Sequence, residues 1–477
     1  MTALDGISCI HFVGVGGVGM SGLALVAHQR GFAVTGSDLK ASRATRQLAR
    51  EGVRVAIGHD ASNVPEDCDL LVVSTAIPSS NPELACARAR SIEVWHRSQM
   101  LAALGEGKKT LACAGTHGKT TTSSMLATML DGMGLDPTFV IGGTVDGYGT
   151  GAADGGGEYF AVEADESDGS FVHLSPHIAL VTNVEADHLD HYGTLDAIYA
   201  AFADFLSLIG PCGAAVVCAD DDRLVQIARE RACRAVTYGP APKAPADSDA
   251  TCAAAPDVTF EVTGRVGIGS AFSVAFPDGR SVDVELSRSP GLHNVADATG
   301  VLAVAWAAGL DVDAAARALS GFSGVRRRFD LVGEAGGVTV VDDYAHHPTE
   351  IRATIDAARG LDFERVHVLF QPHRYTRTQS LATAFGGAFD GADDVTLMDV
   401  YAAGEAPIPG VSGKTVVACI LGHDPRAQVA WMPHRAEVAR FLASRVRPGD
   451  LVITMGAGDV TSMGPLVLEA LGTEPRN

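Results

Sequence analysis

The stretch Ala114–Thr122, AGTHGKTTT, follows the apolar run Thr110 to Cys113 and opens the helical pattern SSMLATML. A glycine-rich turn between a strand and a helix aims consecutive backbone N–H groups at one point, where the helix dipole favours negative charge. Read this way, the N–H groups of Gly115, Thr116, His117, Gly118 and Lys119 wrap a polyphosphate. Lys119 adds a point charge and the Thr120 hydroxyl reaches magnesium. The first glycine of the common G-x-x-x-x-G-K-[ST] form would fall at Cys113, so the signal is the shorter GTxGK[ST]. Use of a nucleoside triphosphate is the expectation.

Outward from this loop, TLACAG, YFAVEAD, HIALVTN and AAVVCAD are short apolar runs with helical stretches between them, the pattern of a parallel sheet covered on both faces. YFAVEADESD brings Glu163 to a carboxyl strand end, and VTNVEADHLDHYG brings Asp187 and His188 to another, the edge at which open α/β sheets bind ligands. Thr120, Glu163 and His188 are therefore candidate magnesium ligands. After Tyr238, PAPKAPADSDATCAAAPD reads as a loose surface insertion leading into antiparallel strands around the Asp278-Gly279 turn.

Toward the N-terminus, Ile7 to Val13 is strand-like, GVGGVGMSGLALVAHQRG enters a helix, and FAVTGSD supplies a second strand ending in Asp38. Gly14, Gly16 and Gly19 satisfy G-x-G-x-x-G, and Asp38 lies 19 residues beyond Gly19, where a ribose-binding acid belongs. Alone, this fingerprint suggests NAD and a dehydrogenase, but that reading leaves GTHGKTTT unexplained. The βα alternation runs on to a break at LGEGKK, Leu104 to Lys109.

Toward the C-terminus, GLHNVADATG starts a helix, where Asn294 caps it or reads an adenine edge. Beyond FSGVRRRFD the βα pattern restarts with GVTVVDDYAHHPTEI, VHVLFQ, VTLMDVY and LVITMGAG. One strand end there carries Asp342, Asp343, Tyr344 and His346; another carries Arg374 and Arg377, whose forked donors suit phosphate or carboxylate. The chain is thus expected to be α/β with three domains: an N-terminal Rossmann-like domain (1–107), a central P-loop ATPase-like parallel sheet with an antiparallel portion (108–325), and a C-terminal doubly wound Rossmann-like domain (326–477).

Length and composition agree. At 477 residues the chain exceeds one ordinary core. A net charge of −21 argues against nucleic acid and membrane surfaces as partners. The expected anionic ligands must then meet local basic clusters, GTHGKT, Arg326 to Arg328, and HRYTR at His373 to Arg377. Nine cysteines without a CxxC pair, no Lys or Arg ahead of the N-terminal apolar stretch, and no apolar run of ~18 residues to span a membrane predict a reducing compartment, the cytoplasm.

Taken together, GVGGVGMSGLA, GTHGKTTT, EADESDGSF, TNVEADHLDHY, GLHNVADATG, FSGVRRRFD, DDYAHHPTEI and QPHRYTRT resemble the Mur ligase family over nearly the whole chain. Within it, the first motif and the RRRFD and DDYAHHP segments are similar to the branch that adds L-alanine to UDP-N-acetylmuramate. A branch adding a tripeptide to the same sugar nucleotide shares much of DDYAHHP. The resemblance implies that the first domain binds the UDP-sugar through Gly14, Gly16, Gly17, Gly19, Met20, Ser21, Asp38 and Ser74. It implies that the second binds ATP and Mg2+, with Gly115 to Thr121 on the phosphates and Thr120, Glu163 and His188 on the metal. Asn294, Arg326 and Asp343 would hold ATP. Lys119, His188, His346, Arg374 and Arg377 would serve catalysis, and Tyr344, His346 and Arg377 the amino acid. Some relatives bridge magnesium with a carbamylated lysine, but this chain has none between Lys119 and Lys243. Domain closure to exclude water and a monomer or homodimer complete the expectation.

Overall fold

The computed structural model describes residues 2–242 and 255–473. Most of the Ala/Pro/Asp stretch expected as a surface insertion lies outside the described residues. Two compact units are present, one of Met1–Gly264, Ala271–Leu286 and Val295–Ser323, the other of Arg265–Ser270, Ser287–Asn294 and Gly324–Asn477.

The first unit opens with five parallel strands in the order Arg54–Ile57, Ala33–Asp38, Cys9–Val13, Leu70–Val73, Glu93–His96. Leu70, Leu71 and Val72 are all fully buried. Consecutive burial of this kind requires helices on both faces, and helix Val18–Gln29 supplies Leu23, Ala24, Val26 and Ala27 to one of them. Strand order reverses between Cys9–Val13 and Leu70–Val73, and the crevice beyond their carboxyl ends is where such sheets take ligands. Gly14 follows one of these strands and Ser74 the other.

A ten-stranded sheet follows, in the order Ser281–Leu286, Gly269–Ala275, Val258–Val266, Ala235–Pro240, Ala214–Cys218, Ile178–Val181, Lys109–Ala114, Tyr159–Glu163, Thr138–Val140, Ala152–Ala153. From Val258–Val266 to Thr138–Val140 every neighbouring pair is parallel. Only Gly267 and Ile268 join Val258–Val266 to Gly269–Ala275, and so short a link between neighbouring strands permits only an antiparallel pair. The expected antiparallel portion is therefore present. Strand Lys109–Ala114 lies between Tyr159–Glu163 and Ile178–Val181, so the loop leaving it is flanked by both neighbours' carboxyl ends.

The second unit carries six strands in the order Asp330–Ala335, Val338–Asp343, Leu451–Met455, Val366–Phe370, Asp394–Leu397, Val429–Trp431. Alternate residues face separate cores: Val341, Ile453, Val368 and Phe370 in one, Val340, Val452 and Leu369 in the other. This is the doubly wound arrangement, with an addition the sequence reading missed. Asp330–Ala335 is an antiparallel edge strand, joined to Val338–Asp343 by Gly336-Gly337 at φ +61 and +79, the paired left-handed turn that a tight hairpin needs.

Candidate active site

Gly115 leaves strand Lys109–Ala114 at φ +134, and a Cβ there would lie 2.1 Å from Thr182 Oγ1. Only glycine fits that approach. Gly118, at φ +82, is the N-cap of helix Lys119–Gly132. The loop is braced by the neighbouring strand end: the His117 N–H donates to Asn183 Oδ1 at 2.9 Å, and Asn183 Nδ2 donates back to the His117 carbonyl at 3.1 Å. Asn183 stands in TNVEADHLDHY but was not among the expected site residues. Its role follows from strand adjacency, which spacing along the chain does not reveal.

Lys119, Thr120, Glu163 and His188 come together as expected. Thr120 Oγ1 donates to Glu163 Oε1 at 3.0 Å, and the Gly142 N–H donates to Glu163 Oε2 at 2.6 Å. Burial raises the Glu163 carboxyl above its ordinary range, partly countered by the Lys119 charge and the Gly142 N–H. Thr121 is buried in the first turn of the same helix. His188, at φ +51, starts the short helix Leu189–Tyr192 with Nε2 3.7 Å from Asp187 Oδ2 and 4.0 Å from Glu166 Oε1.

Glu166 is the residue the sequence reading overlooked. Lys119 Nζ donates to Glu166 Oε1 at 2.9 Å, and to the carbonyls of Gly115 at 2.6 Å and Thr116 at 3.1 Å. Burial works against the ammonium, but Glu166, Asp165 and Glu163 outweigh it and hold the charge. Burial drives the Glu166 carboxyl up to about 7 despite the lysine. Its second oxygen, Oε2, is buried without a hydrogen-bond partner. Two carboxylates, one of them with an orphaned oxygen, an imidazole and a hydroxyl are the donor types that a hard divalent cation takes while retaining some of its own water.

At the glycine fingerprint, Gly14 sits at φ +78 and its N–H donates to the Ser37 carbonyl at 2.8 Å. Asp38 Oδ2 accepts from the Gly16 N–H at 2.9 Å and Oδ1 from the Lys40 N–H at 3.1 Å. The acid thus braces the loop that precedes the helix. Gly17 caps that helix, Gly19 and Ser21 lie in its first turn, and Met20 turns into the core. Ser74 closes the opposite side, its carbonyl accepting from the Ile77 N–H at 3.1 Å.

In the second unit, Asp343 Oδ2 accepts from the Phe329 N–H at 2.8 Å and Oδ1 from the Ala345 N–H at 2.7 Å. Burial nonetheless pushes it up to about 6, against Arg328 and those two bonds. Arg326 is exposed. Of its neighbours, Arg327 Nε meets Asp342 Oδ2 at 3.0 Å, and the guanidinia of Arg327 and Arg328 lie 4.9 and 5.2 Å from the Tyr344 ring centre. Asn294 is buried and donates from Nδ2 to the Pro290 carbonyl at 2.6 Å. His346 Nδ1 lies 3.0 Å from the Tyr344 carbonyl oxygen and 3.3 Å from Glu350 Oε2.

Strand Leu451–Met455 stands between the strand ends bearing Asp343 and Arg374, a separation hidden by their succession in the chain. They still meet beyond the sheet edge, where the His346 and His373 rings are 5.9 Å apart. Arg377 is buried, with Nη1 3.3 Å from His373 Nδ1. Burial and the charges of Arg377 and Arg374 hold His373 down at about 4, so it is a neutral imidazole at pH 7.

The eight cysteines among the described residues are free thiols, and no described helix is long and apolar enough to cross a membrane. Three family descriptions match the chain: Mur ligase family, catalytic domain, over residues 9–109; Mur ligase middle domain over 113–305; and Mur ligase, glutamate ligase domain, over 327–458. The UDP-N-acetylmuramate--L-alanine ligase of Anaeromyxobacter sp. (strain Fw109-5) is 47% identical over 97% of each chain. Among solved structures, UDP-N-acetylmuramate-alanine ligase from Thermotoga maritima superposes with a TM-score of 0.79 at 28% identity, covering 96% of this chain and 98% of that one. A murein peptide ligase from Psychrobacter arcticus gives 0.72 at 26%, covering 98% and 100%. The chain belongs to the Mur ligase family.

Proposed function

We infer that this chain joins L-alanine to the lactyl carboxylate of UDP-N-acetylmuramate at the expense of ATP, a step of peptidoglycan precursor synthesis. The relatives matched over nearly their full length carry that activity in their names. The observation that carries the reading is the phosphate loop, with Lys119 and Thr120 set against Glu163, Glu166 and His188.

A carboxylate is a poor acyl donor, so the reaction first moves the γ-phosphoryl group of ATP onto it. The amine of alanine then attacks the acyl phosphate, and phosphate leaves from a tetrahedral intermediate. Bringing two anions to ~4 Å costs about 1 kcal/mol in water and about 4 kcal/mol at an effective dielectric of 20. Lys119 and the loop N–H groups of Gly115 to Lys119 offset that repulsion. Thr120, Glu163 and His188 would hold magnesium, which supplies further positive charge to the phosphates when bound.

The other roles follow the same reading. Residues 1–107 take the UDP-sugar along Gly14, Gly16, Gly17, Gly19, Met20, Ser21, Asp38 and Ser74. Residues 108–325 take ATP, and residues 326–477 orient alanine. Asn294, Arg326 and Asp343 serve ATP; Tyr344, His346, Arg374 and Arg377 serve the reacting carboxylate and the incoming amine. Free thiols among the described residues and dependence on ATP and a nucleotide sugar support a cytoplasmic reaction. The test is phosphate release with ATP, Mg2+ and UDP-N-acetylmuramate. A requirement for L-alanine is expected, release only with a tripeptide would move the chain to the tripeptide-adding branch, and no release with either would remove the activity.

A further inference from the structure

The segment leaving strand Val366–Phe370 turns at Arg374, the N-cap of helix Tyr375–Ser380, at φ +67 and ψ 136. That backbone region is close to glycine-only, and a residue with a Cβ stays there only when its surroundings over-determine it. The surroundings come from the segment after strand Asp394–Leu397. The Arg374 N–H donates to the Tyr401 carbonyl at 2.9 Å, and the Tyr401 N–H donates to the Pro372 carbonyl at 2.8 Å. The Tyr401 ring stacks on His373, centres 5.7 Å apart and planes 11° from parallel.

Glu405 completes the clamp. Its Oε1 lies 2.7 Å from Arg374 Nε and accepts from Thr376 Oγ1 at 2.7 Å; its Oε2 accepts from the Thr376 N–H at 3.1 Å. One carboxylate thus ties the strained residue to the first turn of the helix that follows it, and contact at Nε fixes the plane of the guanidinium. Burial works against the Glu405 charge, but the Thr376 bonds and Arg374 outweigh it and hold the carboxyl below its ordinary range. The Glu405 side chain is only 15% exposed, unlike an ordinary solvated surface pair.

We propose that Glu405 is a positioning residue for the amino-acid half of the reaction, holding Arg374 in the turn from which its guanidinium serves the reacting groups. This rests on the reading that Arg374 serves the reacting carboxylate and incoming alanine. Glu405 acts through Arg374 and touches no substrate itself.

Steady-state kinetics with ATP, UDP-N-acetylmuramate and L-alanine on the full chain test it, alongside thermal melting. Glu405→Ala is expected to lower kcat/KM for L-alanine about 10- to 100-fold, the scale of a lost hydrogen bond to a charged group. KM for ATP should stay within about twofold of wild type. Glu405→Gln should fall between, because its amide oxygen still accepts from Arg374. The double variant Arg374→Ala/Glu405→Ala should be no worse than Arg374→Ala alone, since both changes remove one interaction. Multiplicative losses in the double variant, an equal rise in KM for all three substrates, or unchanged L-alanine kinetics would overturn the proposal. If Glu405→Ala fails to fold, Thr376→Val removes a single bond to the carboxylate. It is expected to cost about threefold in the same parameter, and no change would overturn the proposal. Wild-type kinetics in Arg374→Ala would overturn the reading of Arg374 and the proposal with it. A sensitive Arg374 beside an indifferent Glu405 would overturn the proposal alone.

Discussion

Lys119 is turned back on its own loop and ion-paired with Glu166, Nζ to Oε1 at 2.9 Å, with the Glu166 side chain only 2% exposed. The ammonium's three donors are already distributed over Glu166 and the carbonyls of Gly115 and Thr116. A phosphate entering the loop must draw Lys119 from these acceptors, and the release is tolerable because the Glu166 carboxyl, at about 7, takes up a proton readily.

Lys119→Met should therefore separate chemistry from folding. ADP formation is expected to fall by at least about 10²- to 10³-fold, the scale for losing a donor to developing charge. The fold should survive, with a melting shift of a few degrees at pH 7, because the abandoned Glu166 protonates. Turnover near wild type would sink the phosphate-loop reading, and a collapsed melt would sink the account of Glu166.

Thr120 and Glu163 make a second pair whose disruption has a readout of its own. If they hold magnesium, Thr120→Ala and Glu163→Gln should each raise the Mg2+ concentration for half-maximal activity by about 10- to 100-fold. Saturating metal should restore part of the lost rate. A fall in rate with an unmoved Mg2+ midpoint would count against both as ligands.

What could be read in the sequence, and what could not, divides along a physical line. Lys119, Thr120, Glu163 and His188 were legible because each lies at or just past the carboxyl end of an apolar run, and parallel strands bring such ends to one edge. Glu166 was not, although it stands three residues past Glu163, because an acidic turn looks solvated until the fold buries it. Asn183 depends on which strand neighbours Lys109–Ala114, and that order is absent from chain succession. The left-handed turn at Arg327 sets the guanidinia of Arg327 and Arg328 over Tyr344, an orientation that a run of three arginines does not reveal. The antiparallel edge strand Asp330–Ala335 was not legible because DLVGEA has no apolar/polar alternation and its pairing is broken by a register shift between Leu331 and Gly333.

Gly115 offers a test of loop geometry without touching a charge. A Cβ there would meet Thr182 Oγ1 at 2.1 Å and the Asn183 backbone at 3.1 Å, on a residue already at φ +134. Gly115→Ala is expected to cost at least about 2 kcal/mol of stability or to displace the loop and weaken nucleotide binding. Gly210→Ala, with nothing within 4 Å and no positive φ, is the control and should be near neutral. Equal effects from the two substitutions in urea melts and nucleotide titrations would refute the packing argument.

Helix Pro82–Ala89 sets a buried carboxylate against the N-terminal sheet, and its titration should mark the acid limit of the fold. Glu83 is fully buried; Oε2 accepts from Ser37 Oγ at 2.5 Å and lies 3.3 Å from His11 Nε2, while Oε1 accepts from Asn63 Nδ2 at 2.7 Å and the Asp60 N–H at 3.1 Å. Burial alone would raise the carboxyl, but the bonds from His11, Ser37 and Asn63 outweigh it and hold it at about 2. A carboxyl depressed in the fold contributes stability in full above its unfolded value near 4.5, and that contribution disappears as pH falls through about 2. The size is about 3 kcal/mol at pH 7. Glu83→Gln also turns an amide N–H2 toward groups that donate, so it should lose about 2–4 kcal/mol at pH 7. The gap between wild type and variant should narrow between pH 4.5 and pH 2, where the unfolded chain's carboxyl binds a proton that the native one still refuses. Urea melts at pH 7, 4 and 3 measure this, and a gap that stays constant across them would show that the charge on Glu83 contributes nothing to holding the sheet.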